Sequence, residues 1–370
     1  MVMKMKDKLN GISIISFIIH AMVGIRLVTI PRDVVKYAKG DAWISMLPIY
    51  FLIIATSYAF YWIGIQYPRL NFSQINEVVL GKFLGKVVMV VIAIYTISSV
   101  GLSLRVFAES IRIFLLDRTP LNLLMIIMLL TVVLCLRSGI KTTSIIFDLL
   151  LPVILFFIIF LLILPISATD TKNLLPVLHH GVKPVLKGAL EIIDPVIACG
   201  IIGYLLPYLH PTKKKSMLKY IFIAITITTL IYLAILLLVI MIFGVKEIDY
   251  LMFPTISMYK SIAMQTQIFE RAEALFMTVW IPITFTTLCV YYLVAVLNAK
   301  ALFNTKKNNI VLYILIAVVM LIANLPKDMA EVLNYLEYNA ILAQILNLIY
   351  IPIFTFIVIY KVKRGKKCGK

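Results

Sequence analysis

Charge is scarce in this chain, and negative charge is scarcest. Asp, Glu, Lys and Arg make up 14% of its 370 residues, with 17 acids against 35 bases, while hydrophobic residues make up 62%. A water-soluble domain cannot hide that much apolar surface, so the composition excludes one. Cysteine is sparse too. Cys135, Cys199, Cys289 and Cys368 lie far apart with no CxxC, a pattern that argues against a disulfide framework, a zinc ribbon or a redox pair. HExxH, GxSxG and a phosphate-cradling glycine loop are also missing, so nothing points to an enzyme. The adjacent His179 and His180 sit in a loop, where solvation is expected rather than a metal site. No cofactor is expected.

What the chain does have is apolar length. Ten stretches, at 12–31, 41–66, 86–111, 122–136, 145–166, 188–209, 218–243, 271–297, 310–325 and 339–360, approach or reach the length of a membrane helix, about 20 residues. The expected fold class is therefore an all-α polytopic membrane protein of ten transmembrane helices. Residues 1–370 form a single transmembrane domain with short loops. Lysines precede the first stretch as in a signal peptide, but its length and the lack of a small-x-small cleavage site make it the first helix.

The net charge of +18 is unevenly spread. With the N-terminus inside, 21 Lys and Arg fall in cytoplasmic segments, against 11 in outer loops that also hold nine acids. That is the positive-inside pattern, with both termini cytoplasmic. Lys213–Lys215 and the Lys-rich tail are placed to meet anionic lipids, and nucleic acid is not an expected partner.

The first and sixth stretches are interrupted. Gly24 and Pro31 recur as Gly200 and Pro207, each 176 residues later. Five helices per half is an odd number, so equivalent helices would cross in opposite directions. Two inverted five-helix repeats follow, about 12–166 and 188–360, with discontinuous helices 1 and 6. Helix breaks at mid-membrane survive where they line a cavity, and paired breaks point to a small-molecule pocket. Its expected lining is Val23, Gly24, Ile25 and Arg26 from the first break and Ala198, Cys199, Gly200 and Gly203 from the sixth.

Intramembrane charge is costly and defaults to function. Arg105 and Glu109, four residues apart, share a helix face. Together with Asp194, Arg271 and Glu273 they are expected to form an outward-facing vestibule or charge network, within which Arg105 and Glu109 are expected to pair with each other for structure rather than to touch a ligand. Arg26 has no acid within four residues. It either snorkels, pairs with Glu109 or Glu273 across the bundle, or grips a substrate carboxylate in a two-pronged contact.

Several segments resemble the spore germination permeases, the B-type subunits of endospore germinant receptors within the amino acid–polyamine–organocation superfamily. They are the stretch from His20 through Gly24, Arg26 and Pro31 to Asp33, then Lys39-Gly-Asp41-Ala-Trp43, Thr119-Pro120, Arg137-Ser-Gly139, Asn173-Leu-Leu-Pro176 and the run from Phe269 to Trp280. The resemblance spans nearly the whole chain and rests on the order of these segments. It implies a transporter-type fold that senses a small-molecule nutrient, typically an amino acid. It also implies an A-type membrane subunit and a C-type lipoprotein as partners in the spore inner membrane. Such proteins usually carry Gly-x-Gly at the first break, where this chain has Gly24-Ile25-Arg26. An arginine there fills space and adds charge, which favours a sensor, or a subunit with a dead pocket, over an active proton- or sodium-coupled amino acid transporter.

Overall fold

A computed structural model of the chain describes residues 9–179, 181–209, 216–266, 272–305 and 308–368. The first apolar stretch is split into α1 (Gly11–Val23) and α2 (Arg26–Ala38), followed by α3 (Met46–Gln66), the short α4 (Phe72–Leu80), α5 (Lys82–Phe114), α6 (Leu121–Arg137) and α7 (Ile140–Ile163). The sixth stretch is cut into α8 (Val182–Glu191), α9 (Asp194–Ala198) and α10 (Ile201–Leu205). Then come α11 (Met217–Ile248), α12 (Pro254–Thr266), α13 (Ala272–Leu302), α14 (Asn308–Asn324), α15 (Met329–Gln344) and α16 (Ile351–Cys368). Among the described residues there is no β-strand, only an isolated bridge between Leu9 and Leu209 that joins the start of α1 to the chain after α10.

Six helical stretches are long and apolar enough to cross a membrane, and Gly11–Val23, Leu121–Arg137 and Ile310–Asn324 are shorter apolar helices. This is a multi-pass membrane protein. The long apolar helix α13 lies at the centre, packed on α1, α5, α6 and α7, and is the most buried of the long helices.

Two breaches in the helical ladder are repaired by side chains. Pro31 lies inside α2, although a proline cannot donate to the carbonyl four residues back. That carbonyl, on Leu27, accepts the Thr255 hydroxyl at 2.8 Å instead, so the helix runs on to Ala38 rather than ending near residue 31. Gly244 kinks α11 at φ 66. The nearby Met241 carbonyl accepts from the Asn173 amide at 2.8 Å and from the Asp170 N–H at 3.0 Å. Asn173 thus holds the connecting segment, and buried Asp41 anchors it further along by accepting the Leu178 N–H at 2.6 Å.

Where sequence reading expects a cytoplasmic loop, α4 forms. Asn71 and Gln74 make a capping box with two 3.0 Å bonds, which satisfies two orphan donors of the first turn. Gly81, at φ 85, then turns the chain into α5. A Cβ on Gly85 would come 2.7 Å from the Glu77 backbone, so only glycine lets the two helices meet this closely.

Candidate ligand-binding site

The first break opens at Gly24 (φ −4, ψ −129), between α1 and α2. The carbonyls around it are matched by buried side chains. Tyr232 on α11 donates to Met22 O and, at 3.4 Å, to Val23 O. Thr287 on α13 donates to His20 O, and the fully buried Trp280 indole donates to Gly24 O at 3.3 Å. These contacts hold an irregular backbone at membrane depth without exposing its acceptors to lipid. A Cβ on Gly24 would stand 2.5 Å from Thr287, so Gly24→Ala is expected to cost about 1–3 kcal/mol through overpacking. At Gly203 the nearest atoms to such a Cβ are those of Phe72, from 3.1 Å, and Gly203→Ala is expected to cost less than Gly24→Ala. Thermal unfolding of the two variants in detergent checks the contrast.

Arg26 opens α2 and faces two carboxylates. Its Nη1 lies 2.7 Å from Asp33 Oδ2, and its Nη2 pairs with Asp194 Oδ2 at the start of α9. All three side chains are less than one quarter exposed. Tyr95 on α5 adds a 3.4 Å hydrogen bond to Asp194 Oδ1. The expectation that Arg26 meets Glu109 or Glu273 is corrected here. Its intrahelical partner lies seven residues on, beyond the i±4 positions and past Pro31, because the helix does not stop at that proline.

This ionic bridge stands between two cavities. On one side is a vestibule of about 300 Å³, lined by Arg26, Arg32, Asp33, Lys36, Glu191 and Glu337 among others. Lys36–Glu337 at 2.6 Å and Lys39–Asp249 at 3.4 Å tie its walls. On the other side is a polar chamber of about 40 Å³, lined by Ile25, Arg26, Tyr95, Ser99, Ser103, Asp194, Tyr291 and Asn339 among others. That is room for a few waters at most. Asn339 is held in place by Ser98 and Ser99, at 2.7 and 2.8 Å. Tyr291 also borders a mainly apolar pocket beyond the chamber, walled by Phe60, Phe72, Ala198, Gly200 and Tyr204.

The expected site residues therefore separate. Ile25, Arg26 and Asp194 come together at the chamber, and Val23 and Gly24 form the break behind it. Ala198 and Gly200 line the apolar pocket, while buried Cys199 lies 3.8 Å from the Met22 sulfur and links the two breaks. Gly203 packs against Phe72 and Phe60. Arg105 and Glu109 stand apart from the vestibule. Glu109, almost fully buried, accepts from Arg105 at 3.0 Å and from Arg112 at 2.7 Å. Arg105 also donates to Ala323 O at 3.3 Å, in the last turn of α14, and to Lys327 O at 3.4 Å in the connection to α15. That cluster braces α5 to α14. Glu273 lies in the first turn of α13, Arg26 pairs instead with Asp33 and Asp194, and Arg271 lies outside the described residues. Sequence reasoning missed Asp33, Tyr95, Ser99, Ser103 and Tyr232. The four-residue spacing of Tyr95, Ser99 and Ser103 was a visible signal of one polar helix face.

Two further contacts hold α1 in place. His20 bridges Phe147 O at 3.2 Å and the Thr286 hydroxyl at 3.0 Å. Asp148 on α7 accepts from Ser13 at 2.8 Å and Ser16 at 2.5 Å. Asp148 thus ties α7 to α1. Among the described residues no cluster of three His, Cys, Asp or Glu could hold a metal.

Comparison with known proteins now decides the family. The spore germination protein family matches residues 8–332. This chain belongs to that family. Spore germination protein A2 of Bacillus subtilis is 26% identical over 357 residues, covering 95% of each chain. Spore germination protein GerLB of Bacillus cereus is 24% identical over 93% of this chain and 91% of its own. Among solved structures, the spore germination protein superposes on MhsT in complex with L-phenylalanine with a TM-score of 0.71 at 13% identity, covering 95% of this chain and 88% of that one. The nucleobase-cation-symport-1 family transporter MHP1, closed with bromovinylhydantoin bound, gives a TM-score of 0.71 at 12% identity over 94% and 78%. The fold is that of these transporters.

Proposed function

We propose that this chain is the permease-like, nutrient-sensing subunit of a spore germinant receptor, and that it binds a zwitterionic amino acid at the Arg26–Asp194 bridge. The observation that carries the reading is the position of that bridge, with vestibule on one side and chamber on the other. A ligand carboxylate takes over the Arg26 guanidinium in a two-pronged contact, and its ammonium group takes over Asp194. Each charge released from the bridge finds a partner on the ligand, so only a molecule bearing both groups opens it cheaply. The chamber is too small for an amino acid as it stands, so binding must separate α2 from α9. A ligand with higher affinity for the separated state shifts the equilibrium toward it, which is what a sensor needs.

In this reading ten membrane helices form two inverted five-helix repeats, about 12–166 and 188–360, within one domain of residues 1–370. The first helix is α1 with α2, the sixth α8 to α10, and the tenth α15 with α16. Both termini are cytoplasmic and the membrane is the spore inner membrane. Family membership supports an A-type membrane subunit and a C-type lipoprotein as partners, and the Lys-rich tail supports contact with anionic lipids. The likeness to transporters favours one second reading, ion-coupled amino acid uptake.

The test is chemical. Saturable binding of labelled amino acids to the reconstituted full chain is expected to be competed by other amino acids of similar side chain. The corresponding amines, which lack the carboxylate, and N-acetylated forms, which lack the cation, are expected not to compete. Equal competition by either analogue would remove Arg26 or Asp194 from the proposed site.

A further inference from the structure

We propose that Tyr291 is a positioning residue for the ligand ammonium, acting through a hydroxyl relay that runs from Tyr291 to Tyr95 to Asp194. The proposal rests on the reading of the Arg26–Asp194 bridge as the amino acid site, and adds how Asp194 is held once Arg26 lets go. The direction of the relay follows from counting protons. Asp194, paired with Arg26, is a carboxylate and can only accept. The 3.4 Å bond to its Oδ1 is therefore donated by the Tyr95 hydroxyl. A tyrosine has one hydroxyl proton, so Tyr95 can only accept from its other neighbours. Its hydroxyl is hydrogen-bonded to those of Ser99 and Tyr291. Ser99 gives its own proton to the Tyr95 backbone carbonyl at 2.8 Å. Tyr291 on α13 is thus the donor that fixes the Tyr95 ring on α5.

The place of the two rings supports this assignment. Tyr95 is fully buried, where hydrogen bonds in a chain reinforce one another. Tyr291 lines both the polar chamber and the apolar pocket beyond it. A phenylalanine would wall off that mainly apolar pocket as well as a tyrosine does. What the hydroxyl adds is the bond to Tyr95.

Arg26 and Tyr95 hold Asp194 from opposite sides, one on each carboxylate oxygen. Bonds from a hydroxyl to a carboxylate are normally about 2.5–2.7 Å long, so at 3.4 Å Asp194 sits toward Arg26 and away from Tyr95. When a ligand carboxylate draws Arg26 off, Tyr95 is the side chain that orients Asp194. It keeps Oδ1 and leaves Oδ2 to the incoming ammonium. A Tyr95 ring free to swing would let the carboxylate rotate and lose that aim. The Tyr291 hydroxyl prevents the swing.

Equilibrium binding to the reconstituted full chain tests the relay. The common amino acids are titrated in turn, and the tightest binder is compared with its des-amino carboxylic acid. The wild-type chain is expected to prefer the amino acid on the order of a hundredfold, because only it carries the ammonium. Tyr95→Phe is expected to cut that preference about tenfold and Tyr291→Phe about threefold. Both variants keep the ring, and affinity for the des-amino acid is expected to stay nearly unchanged. Adding Tyr291→Phe to Tyr95→Phe is expected to cost nothing more, because Tyr291 acts through Tyr95. A packing role alone would weaken both compounds alike and add in the double variant. An unchanged preference in either folded single variant, or additive losses in the double variant, would overturn the proposal while the bridge reading stands. Equal wild-type affinity for the amino acid and its des-amino acid, or binding of neither, would overturn the bridge reading and the relay with it.

Discussion

Arg26→Ala is expected to lower stability by about 3 kcal/mol and to abolish amino acid binding. The substitution takes the shared guanidinium from two carboxylates, Asp33 and Asp194, that are 24% and 16% exposed, leaving Asp194 with the Tyr95 hydroxyl and Asp33 beside Arg32 and Lys36. Removing one partner of a buried pair costs about 3–5 kcal/mol, and water in the vestibule puts this case at the lower end. Two further variants divide stability from binding. Arg26→Ala combined with Asp194→Asn removes one stranded charge and is expected to recover about half of the loss. Arg26→Lys keeps the charge but not the planar fork, so it is expected to fold nearly as well yet bind ligand at least about tenfold more weakly. Chemical or thermal unfolding in detergent, beside equilibrium binding, reads both quantities. If Arg26→Lys bound as tightly as wild type, the two-pronged contact would be wrong.

Glu109→Ala is expected to be as damaging to folding and silent toward the ligand site. Glu109 and Arg105 have 4% and 8% exposed side chains, and the carboxylate is the only acid paired with that guanidinium among the described residues. Without it a buried cation keeps only the Ala323 and Lys327 carbonyls as acceptors. The expected loss is about 3–5 kcal/mol. Replacing Arg105 and Glu109 together by Met and Leu should be far milder, because a buried ion pair exchanged for apolar packing is often neutral. In variants that fold, ligand affinity should match wild type, since neither residue lines the vestibule or the chamber. A selective loss of binding in a stable Glu109 variant would return this cluster to the site.

These two clusters show what the sequence made legible. Arg105 and Glu109 were readable as a pair because an i,i+4 pair needs nothing beyond helix geometry. Arg26 was readable as exceptional, since charge in an apolar stretch is rare, but its partners were not. Asp33 looked like part of an outer loop because Pro31 looked like a helix end. Only Thr255, more than two hundred residues away, keeps the helix intact through that proline. Asp194 stood in a stretch whose break was expected at Gly200, whereas the structure also breaks it just before Asp194 and so divides it into three short helices. Helix existence followed from apolar length at α5, α6, α7, α11 and α13. It failed at α4, whose capping box and glycine turn sit in polar sequence, and in the first half of α15, where Glu331 and Glu337 hide the helix. The glycine break was visible from composition. The residues that make it tolerable, Tyr232, Trp280 and Thr287, come from distant helices and carry no local signature.

Placing Arg26 at the floor of the vestibule also bears on how a sensor differs from a carrier. A ligand that must break an ionic bridge to enter couples its own binding to the separation of α2 and α9. Passage onward would require a second opening. Where α4 meets α10 and α13, Asn298 accepts from Ser73 and, at 3.1 Å, from Tyr204, while Tyr350 donates to Asn76. These contacts join α4, α10, α13 and the segment before α16.

The most direct test is to reconstitute the full chain in liposomes and count labelled amino acid both bound and internalised. Saturable binding with no more label in the lumen than protein-free liposomes contain is the expected result. Accumulation in the lumen would contradict the sensor reading and make this chain a transporter.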